Sequence, residues 1–222
     1  MTLLGLDTST SAASACVLRA DGDWFEVAPP PERLQRPPAH ASELMPAVAD
    51  VMGRAEVGWR DLDAIAVGVG PGTFTGLRIG IATARALAGA NGLPLRPVSS
   101  LAALAAGIEA PLRLPLVDAR RGEVFGALYE GAERIWPPFA TPPDELAARL
   151  RDEGFTPLAA GDGSVRFREV LEEAGIPVEP DDSAAHVVRA LQVCHLGAGA
   201  PDVPPEAVLP DYLRDPDAKP QQ

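Results

Sequence analysis

Ala64-Ile65-Ala66-Val67-Gly68-Val69-Gly70-Pro71-Gly72-Thr73-Phe74-Thr75-Gly76-Leu77-Arg78-Ile79-Gly80-Ile81-Ala82-Thr83-Ala84-Arg85 decides how this chain is read. An apolar strand enters a Gly/Pro loop, and the loop enters a helix with glycines in its interior. Each such Gly costs a helix about 1 kcal/mol relative to Ala. Gly76, Gly80, Ala84 and Ala88 recur every four residues, so the smallest side chains share one stripe. A stripe of that kind lets another backbone come very close, as it does between membrane helices. Arg78 and Arg85 interrupt the apolar run, so this helix is not a membrane span.

The loop Gly70-Pro71-Gly72-Thr73-Phe74-Thr75-Gly76 invites comparison with phosphate cradles. It is not a P-loop, because no Lys-Ser or Lys-Thr follows the last Gly. It is not a dinucleotide fingerprint either: the spacing is Gly-x-Gly-x-x-x-Gly, the strand is not the first, and no acidic residue follows on a suitable strand. Gly70 and Gly72 remain weak candidates for holding an anion at the helix N-terminus. The plainer reading is a strand-to-helix turn that needs glycine for positive φ and close approach.

At 222 residues the chain is long enough for one domain or two small ones, and 46% hydrophobic residues suffice for a core. No apolar run reaches membrane-spanning length, and the first residues read as a strand, not a signal peptide. Cys16 and Cys194 form no disulfide framework, which points to a reducing cytosol. Lys and Arg number 19 against 31 Asp and Glu, a net charge of −12. A chain that acidic is repelled by phosphate backbones and is not expected to hold nucleic acid alone.

Strands are expected at Leu3 to Leu6, Ala13 to Leu18 and Trp24 to Val27. Prolines 29–31, 37 and 38 bracket an extended connection. A helix from Ser42 to Met52 follows, with Ser42 as N-cap and Pro46 near its first turn. Strand Ile65 to Val69, helix Gly76 to Ala90, strand Leu95 to Val98 and a short helix to Ala106 complete the first half, with Ser99 or Ser100 capping that last helix. The second half begins as the first did. Leu114-Pro115-Leu116-Val117-Asp118, a turn at Arg120-Arg121-Gly122 and strand Val124 to Tyr129 echo Leu3-Leu4-Gly5-Leu6-Asp7, the turn Thr8-Ser9-Thr10 and the next strand. Two strand–Asp–turn–strand starts suggest duplicated halves. Helices near Pro143 to Asp152, Val165 to Ala174 and Ala184 to Leu196 follow. Residues 201–222 read as a loose Pro-rich tail, except that Tyr212-Leu213 are apolar enough to dock.

Asp7, Thr8 and Ser9 are the other weak candidates for a bound group. In a nucleotide-dependent phosphotransferase an Asp here holds Mg²⁺ or water, and turn N–H groups hold phosphate. Such turns favour Gly, and this one has none, so a turn that hydrogen-bonds to itself is favoured. His40, His186 and His195 lack metal-site spacing. No nucleophile elbow of the Gly-x-Ser-x-Gly kind exists. Cys194 and His195 diverge by about 100° on a helix, so a buried Cys beside a surface or capping His is expected. Asp118-Ala119-Arg120-Arg121-Gly122-Glu123 suits an anion or a partner, though a self-satisfied surface network is commoner.

At these residues the chain resembles the bacterial TsaB family. The resemblance is carried by Leu6-Asp7-Thr8-Ser9-Thr10, His40 with Pro46 beyond it, Gly70-Pro71-Gly72-Thr73-Phe74-Thr75-Gly76-Leu77-Arg78, Val117-Asp118-Ala119-Arg120-Arg121-Gly122-Glu123-Val124 and Pro210-x-Tyr212-Leu213-Arg214. The glycine-rich block is highly specific, and the matches run in order over nearly the whole chain. The resemblance implies an α/β chain of the duplicated acetate-kinase/Hsp70/actin-like fold, two small lobes with mixed sheets. Residues 1–107 would form the first lobe, 108–200 a shortened second lobe and 201–222 the tail. It also implies a non-catalytic accessory subunit for threonylcarbamoyladenosine synthesis on tRNA. The metal and the transfer then belong to a paralogue, TsaD, and an ATPase, TsaE, works with the pair. The catalytic relative is expected to hold metal with two histidines near the position of His40, where this chain has one.

On this reading the chain is cytosolic and has no catalytic residue, no metal and no cofactor of its own, with a nucleotide at the partner interface left open. It touches tRNA only through the complex. The helices carrying Leu44, Val48, Val51 and Met52, and Gly76, Leu77, Gly80, Ile81, Ala84 and Ala88, are expected to pack on the equivalent pair of the partner. Without the partner that face is expected to pair with itself as a homodimer. The alternatives are an active small kinase or ATPase of the same fold, marked by steady nucleotide turnover, and a metal-dependent peptidase, marked by stoichiometric metal.

Overall fold

Short strands at the start of the chain, the first two buried almost throughout, fold into a meander, β1 (Leu3–Asp7), β2 (Ser14–Leu18) and β3 (Trp24–Val27), in a computed structural model that describes residues 1–213. A 3₁₀ turn at Pro31–Gln35 leads to α1 (His40–Ala55). Then come β4 (Ala64–Gly70), α2 (Phe74–Asn91), β5 (Leu95–Ser99) and α3 (Ser100–Ala106). A parallel neighbour for β1 requires a crossover, and α1 supplies it. β4 lies parallel to β1 and β5 parallel to β4, giving the order β3-β2-β1-β4-β5. Ser99 caps α3 by accepting the N–H of Ala102.

The second half builds β6 (Leu112–Arg120), β7 (Glu123–Glu130), β8 (Glu133–Thr141), α4 (Pro143–Glu153), β9 (Leu158–Ala160), α5 (Asp162–Arg166), α6 (Arg168–Glu173) and α7 (Ala190–Ala198). Its sheet has the order β8-β7-β6-β9, with β9 parallel to β6. That is the first sheet's order without a fifth strand. The repeated connectivity is the duplicated actin-like fold expected from the paired strand–Asp–turn starts.

Side-chain alternation decides which helix covers which face. Leu4 and Leu6 of β1 point towards α1 and α2, among Leu44, Val48, Val51, Ile81 and Ala84. Leu3 points the other way, towards Ala190, Leu191 and Cys194 of α7. α3 and α7 share the core beneath Val117, Phe125 and Tyr129 of the second sheet. α4 covers that sheet's far face through Leu146 and Leu150. The first sheet's strands end at Ser99 and the second sheet's begin at Leu112, but α7 packs back on the first sheet. Both ends of α7 are tied there: buried Glu26 of β3 accepts the N–H of Leu191 and pairs with Arg189, and Arg96 of β5 donates to the carbonyls of Gly197 and Ala198.

The observed elements depart from the expected ones in four places. α1 begins at His40, not Ser42, and Pro46 lies inside it. The missing bond is the one the Ser42 carbonyl would accept, and Ser42 faces water. Strands β8 and β9 were not expected. β8 carries Pro137 and Pro138, which argue against a central strand but are tolerated at an edge, where β8 sits. The expected helix Val165 to Ala174 breaks at Phe167, and Ala184 to Leu196 divides into a 3₁₀ turn at Ala184–His186 and α7. The tail is docked as far as it is described. Val203 bridges to Leu95 and Val208 is buried in the first core. Arg214 and the residues after it lie outside the described chain.

Candidate functional site

Asp7 ends β1 at the position where an enzyme of this fold would place a metal or water. Here the carboxylate is closed off. Oδ1 accepts from the Ser9 N–H at 2.8 Å and from the Ser9 hydroxyl at 2.7 Å. Oδ2 accepts from Ser100 Oγ at 2.9 Å, and Gly68 packs against the same oxygen. Burial pushes the Asp7 carboxyl up to about 6, against the lowering effect of these hydrogen bonds. The turn therefore serves its own backbone, as the absence of glycine suggested. The partner it needed, Ser100, lies 93 residues away, and no local pattern announces it.

The glycine-rich loop cradles protein backbone in place of phosphate. Gly70 has φ +121°, which only glycine adopts easily, and a side chain there would lie 2.7 Å from the Asp211 carbonyl oxygen. Gly72 packs on the Ser9 backbone, and Thr73 N donates to the Ser9 carbonyl at 2.6 Å. Ser9 thus meets Gly72, Thr8 meets Gly76 and Gly80 further along, and Gly70 meets the C-terminal segment. That segment donates Asp211 N to the Val69 carbonyl at 2.7 Å. Tyr212 then stacks on Phe74 at 5.3 Å and accepts from Arg78 Nε at 3.1 Å, while the Arg78 guanidinium covers the Phe74 ring. The docking of Tyr212 expected from the sequence is present; its partner ring was not foreseen.

The residues expected at the partner interface are core residues of this chain. Leu44, Val48, Val51, Met52, Gly76, Leu77, Gly80, Ile81, Ala84 and Ala88 are all buried within it. The close-packed stripe is real, but the backbone that approaches it is the chain's own. A Cβ on Gly76 would strike the Thr8 carbonyl, and one on Gly80 would strike the Thr8 hydroxyl. Leu77 and Ile81 flank that stripe and mark it as the inner face. The outer face of α2 carries a second row at helical spacing, Thr75, Ile79, Ala82 and Ala86, half-buried or exposed. Ala41, Met45 and Ala49 form the matching row on α1, with Met45 42% exposed and Phe74 40% exposed at the end of α2. The two rows adjoin along a groove lined by Ala41, Ser42, Thr75 and Ile79. The residues of the two rows carry no charge and are partly apolar, with exposed Arg78 beside them at Phe74.

His40 is buried at the start of α1, and that burial, then the nearby Arg33 cation, holds its imidazole below its usual pKa. Among the described residues no group of three His, Cys, Asp or Glu side chains is placed to hold a metal ion. Cys194 is buried and His195 exposed, as expected. Asp118 forms the expected network, accepting from Arg120 and also from Arg166, which the sequence reading did not include.

The chain aligns with the TsaB tRNA threonylcarbamoyladenosine biosynthesis protein of Bacillus subtilis at 30% identity, covering 96% of this chain and 94% of that protein. The chain belongs to the TsaB family. An uncharacterized protein of Mycobacterium leprae is 36% identical over 98% of this chain, which spans 56% of that protein's length. The solved structure of YeaZ from Pseudomonas aeruginosa superposes with a TM-score of 0.76 at 30% identity, covering 96% of this chain and 99% of the other. The profile of the TsaD family, tRNA N6-adenosine threonylcarbamoyltransferase, matches residues 31–139. That span holds α1 and α2, the helices that form the outer surface. No helix among the described residues is long and apolar enough to cross a membrane.

Proposed function

We propose that this chain is the accessory, non-catalytic subunit of a cytosolic tRNA threonylcarbamoyladenosine synthesis machinery. It pairs with a TsaD-type transferase and works with a TsaE-type ATPase. One observation carries the non-catalytic reading. Both oxygens of the Asp7 carboxylate are engaged by Ser9 and Ser100, and the glycine-rich loop beside it is filled by backbone. A cation or phosphate would have to displace those hydrogen bonds. The pairing reading draws on the outer rows of α1 and α2, an exposed and partly apolar surface on helices within the span that the transferase-family profile matches. Two helices from each partner would form a four-helix contact. In isolation the same surface pairs copies of this chain.

The test is reconstitution with a purified TsaD-type paralogue and TsaE-type ATPase. Modification of tRNA should require this chain, and Asp7→Asn should leave the rate within a few-fold. A loss of 10²-fold or more, usual for a catalytic group, with folding and complex intact would favour an active kinase-like enzyme.

A further inference from the structure

We infer that the groove between the first turns of α1 and α2 binds a carboxylate, and that an Asp or Glu side chain of the transferase-type paralogue supplies it. The choice of source rests on the proposed pairing; the binding of a carboxylate does not. The groove holds a cavity of about 330 Å³, lined by Ala39, His40 and Ala41 at the start of α1 and by Thr75 and Ile79 of α2. Both helices begin there without a cap. Ala39, the N-cap residue of α1, has no side chain to accept an N–H, and Thr73, that of α2, makes no capping hydrogen bond. The helices are 16 and 18 residues long, and their first N–H groups and dipoles favour an anion at this end.

Unpaired side chains point the same way. His40 is 2% exposed, and among the described residues its two ring nitrogens and Thr73 Oγ1 are buried without a hydrogen bond. Both side chains flank Gly76: a Cβ there would lie 3.2 Å from His40 Nε2 and 2.5 Å from Thr73 Oγ1. Buried polar groups are nearly always paired, and leaving one unpaired is costly. A carboxylate accepts from ring N–H, hydroxyl and helix N–H groups together. The surrounding charges permit it. Arg33 faces the ring, and Glu43 of α1 is already forked by Arg33 at 3.1 and 3.0 Å. The β1–β2 turn brings the Thr10 backbone beside the ring, short of a hydrogen bond, and Thr73, Thr75 and Ile79 on the α2 side carry no charge. Burial holds the imidazole below its usual pKa in the free chain, and an adjacent carboxylate raises it. Ala41, Thr75 and Ile79 belong to the outer rows that the paralogue covers on the pairing reading, so the acid that enters between them is the paralogue's.

The experiment has two arms. The first follows the His40 ring C–H signals of the full chain by NMR during titration with acetate at constant ionic strength. Saturable shifts are expected, with tighter binding at about pH 6 than at about pH 8, because the carboxylate favours the imidazolium. Thr75→Glu, at an exposed position, places a carboxylate in the groove and should abolish the acetate shift. No saturable shift in the native chain would overturn the inference, as would a shift unchanged in Thr75→Glu. The second arm titrates the paralogue by calorimetry in buffers of differing ionisation heat. The native chain should take up protons on binding. His40→Phe should bind roughly tenfold or more weakly and without that uptake, which a merely structural role would not remove. Equal binding by both chains without proton uptake would overturn the assignment to the paralogue's acid. Should His40→Phe fail to fold, Thr75→Glu carries this arm, with weakened binding expected and unchanged binding contradicting the assignment. If the paralogue binds neither the native chain nor a variant, the pairing reading and the assigned source fall together, and the acetate shifts alone decide whether the groove takes a carboxylate.

Discussion

Thr8 donates its hydroxyl to the Gly76 carbonyl across 2.8 Å, and the same hydroxyl fills the groove above Gly80. This contact locks the β1–β2 turn into α2 and explains the glycines that should weaken that helix. Gly80→Ala gains about 1 kcal/mol of helix propensity but drives a methyl into the Thr8 oxygen. Overpacking of that kind costs about 1–3 kcal/mol, so the isolated chain should be destabilised, and Gly80→Leu more so. Adding Thr8→Ala should recover part of the Gly80→Ala loss. Urea unfolding of the four chains in that cycle measures it. Purely additive effects would mean that Thr8 and Gly80 do not touch.

Burial raises the folded pKa of Asp7 to about 6, above the ordinary carboxylate value of 3.8. The native state then binds more protons than the unfolded chain between about pH 4 and 6. The contribution of Asp7 to stability is greatest below that window, falls as pH rises through it and levels off above. Asp7→Asn keeps the acceptor for Ser9 and loses the titration. Its stability relative to the native chain should rise by roughly 1 kcal/mol between pH 5 and pH 7.5. Denaturant titrations at the two pH values check this. A constant difference would show that Asp7 does not titrate in the window.

The C-terminal segment closes over the glycine loop through Tyr212. Tyr212→Ala removes the Phe74 stack and the Arg78 hydrogen bond, together worth about 1–2 kcal/mol. The fold should survive, with faster hydrogen exchange along 69–78. Mass spectrometry after deuterium labelling reads the change. Unchanged exchange there would mean that the segment does not cover the loop in solution.

With a net charge of −12, the chain alone should bind tRNA very weakly at physiological salt, since few counterions can be released. tRNA affinity measured across a salt series for the chain, its paralogue and the complex tests this. Submicromolar, strongly salt-dependent binding by the chain alone would contradict an indirect role.

Apolar runs and helical spacing made most of the first lobe legible, because β1 and β4 are buried almost throughout and α1 and α2 each bury one face. The repeated pattern also exposed the duplication, through Asp7 at the end of β1 and Asp118 near the end of β6. β8 was hidden because Pro137 and Pro138 look like strand breakers until the strand is known to lie at an edge. The stripe at Gly76 and Gly80 was correctly read as a place of close approach. Its neighbour was assigned to another molecule, because the sequence does not reveal that Thr8 lies 68 residues away and against it. Leu77 and Ile81, more apolar than Thr75 and Ala82, were the available signal that this stripe faces inward. The closure of Asp7 by Ser100 is a tertiary fact with no local trace.

The central claim is that the outer rows of α1 and α2, not the buried stripe, bind the transferase paralogue. Calorimetric titration of the paralogue with this chain and with its Ile79→Asp variant tests it most directly. The native chain should bind, and Ile79→Asp should stay folded and weaken binding tenfold or more, since a carboxylate would be buried unpaired in the contact. Undiminished affinity for folded Ile79→Asp would contradict the account.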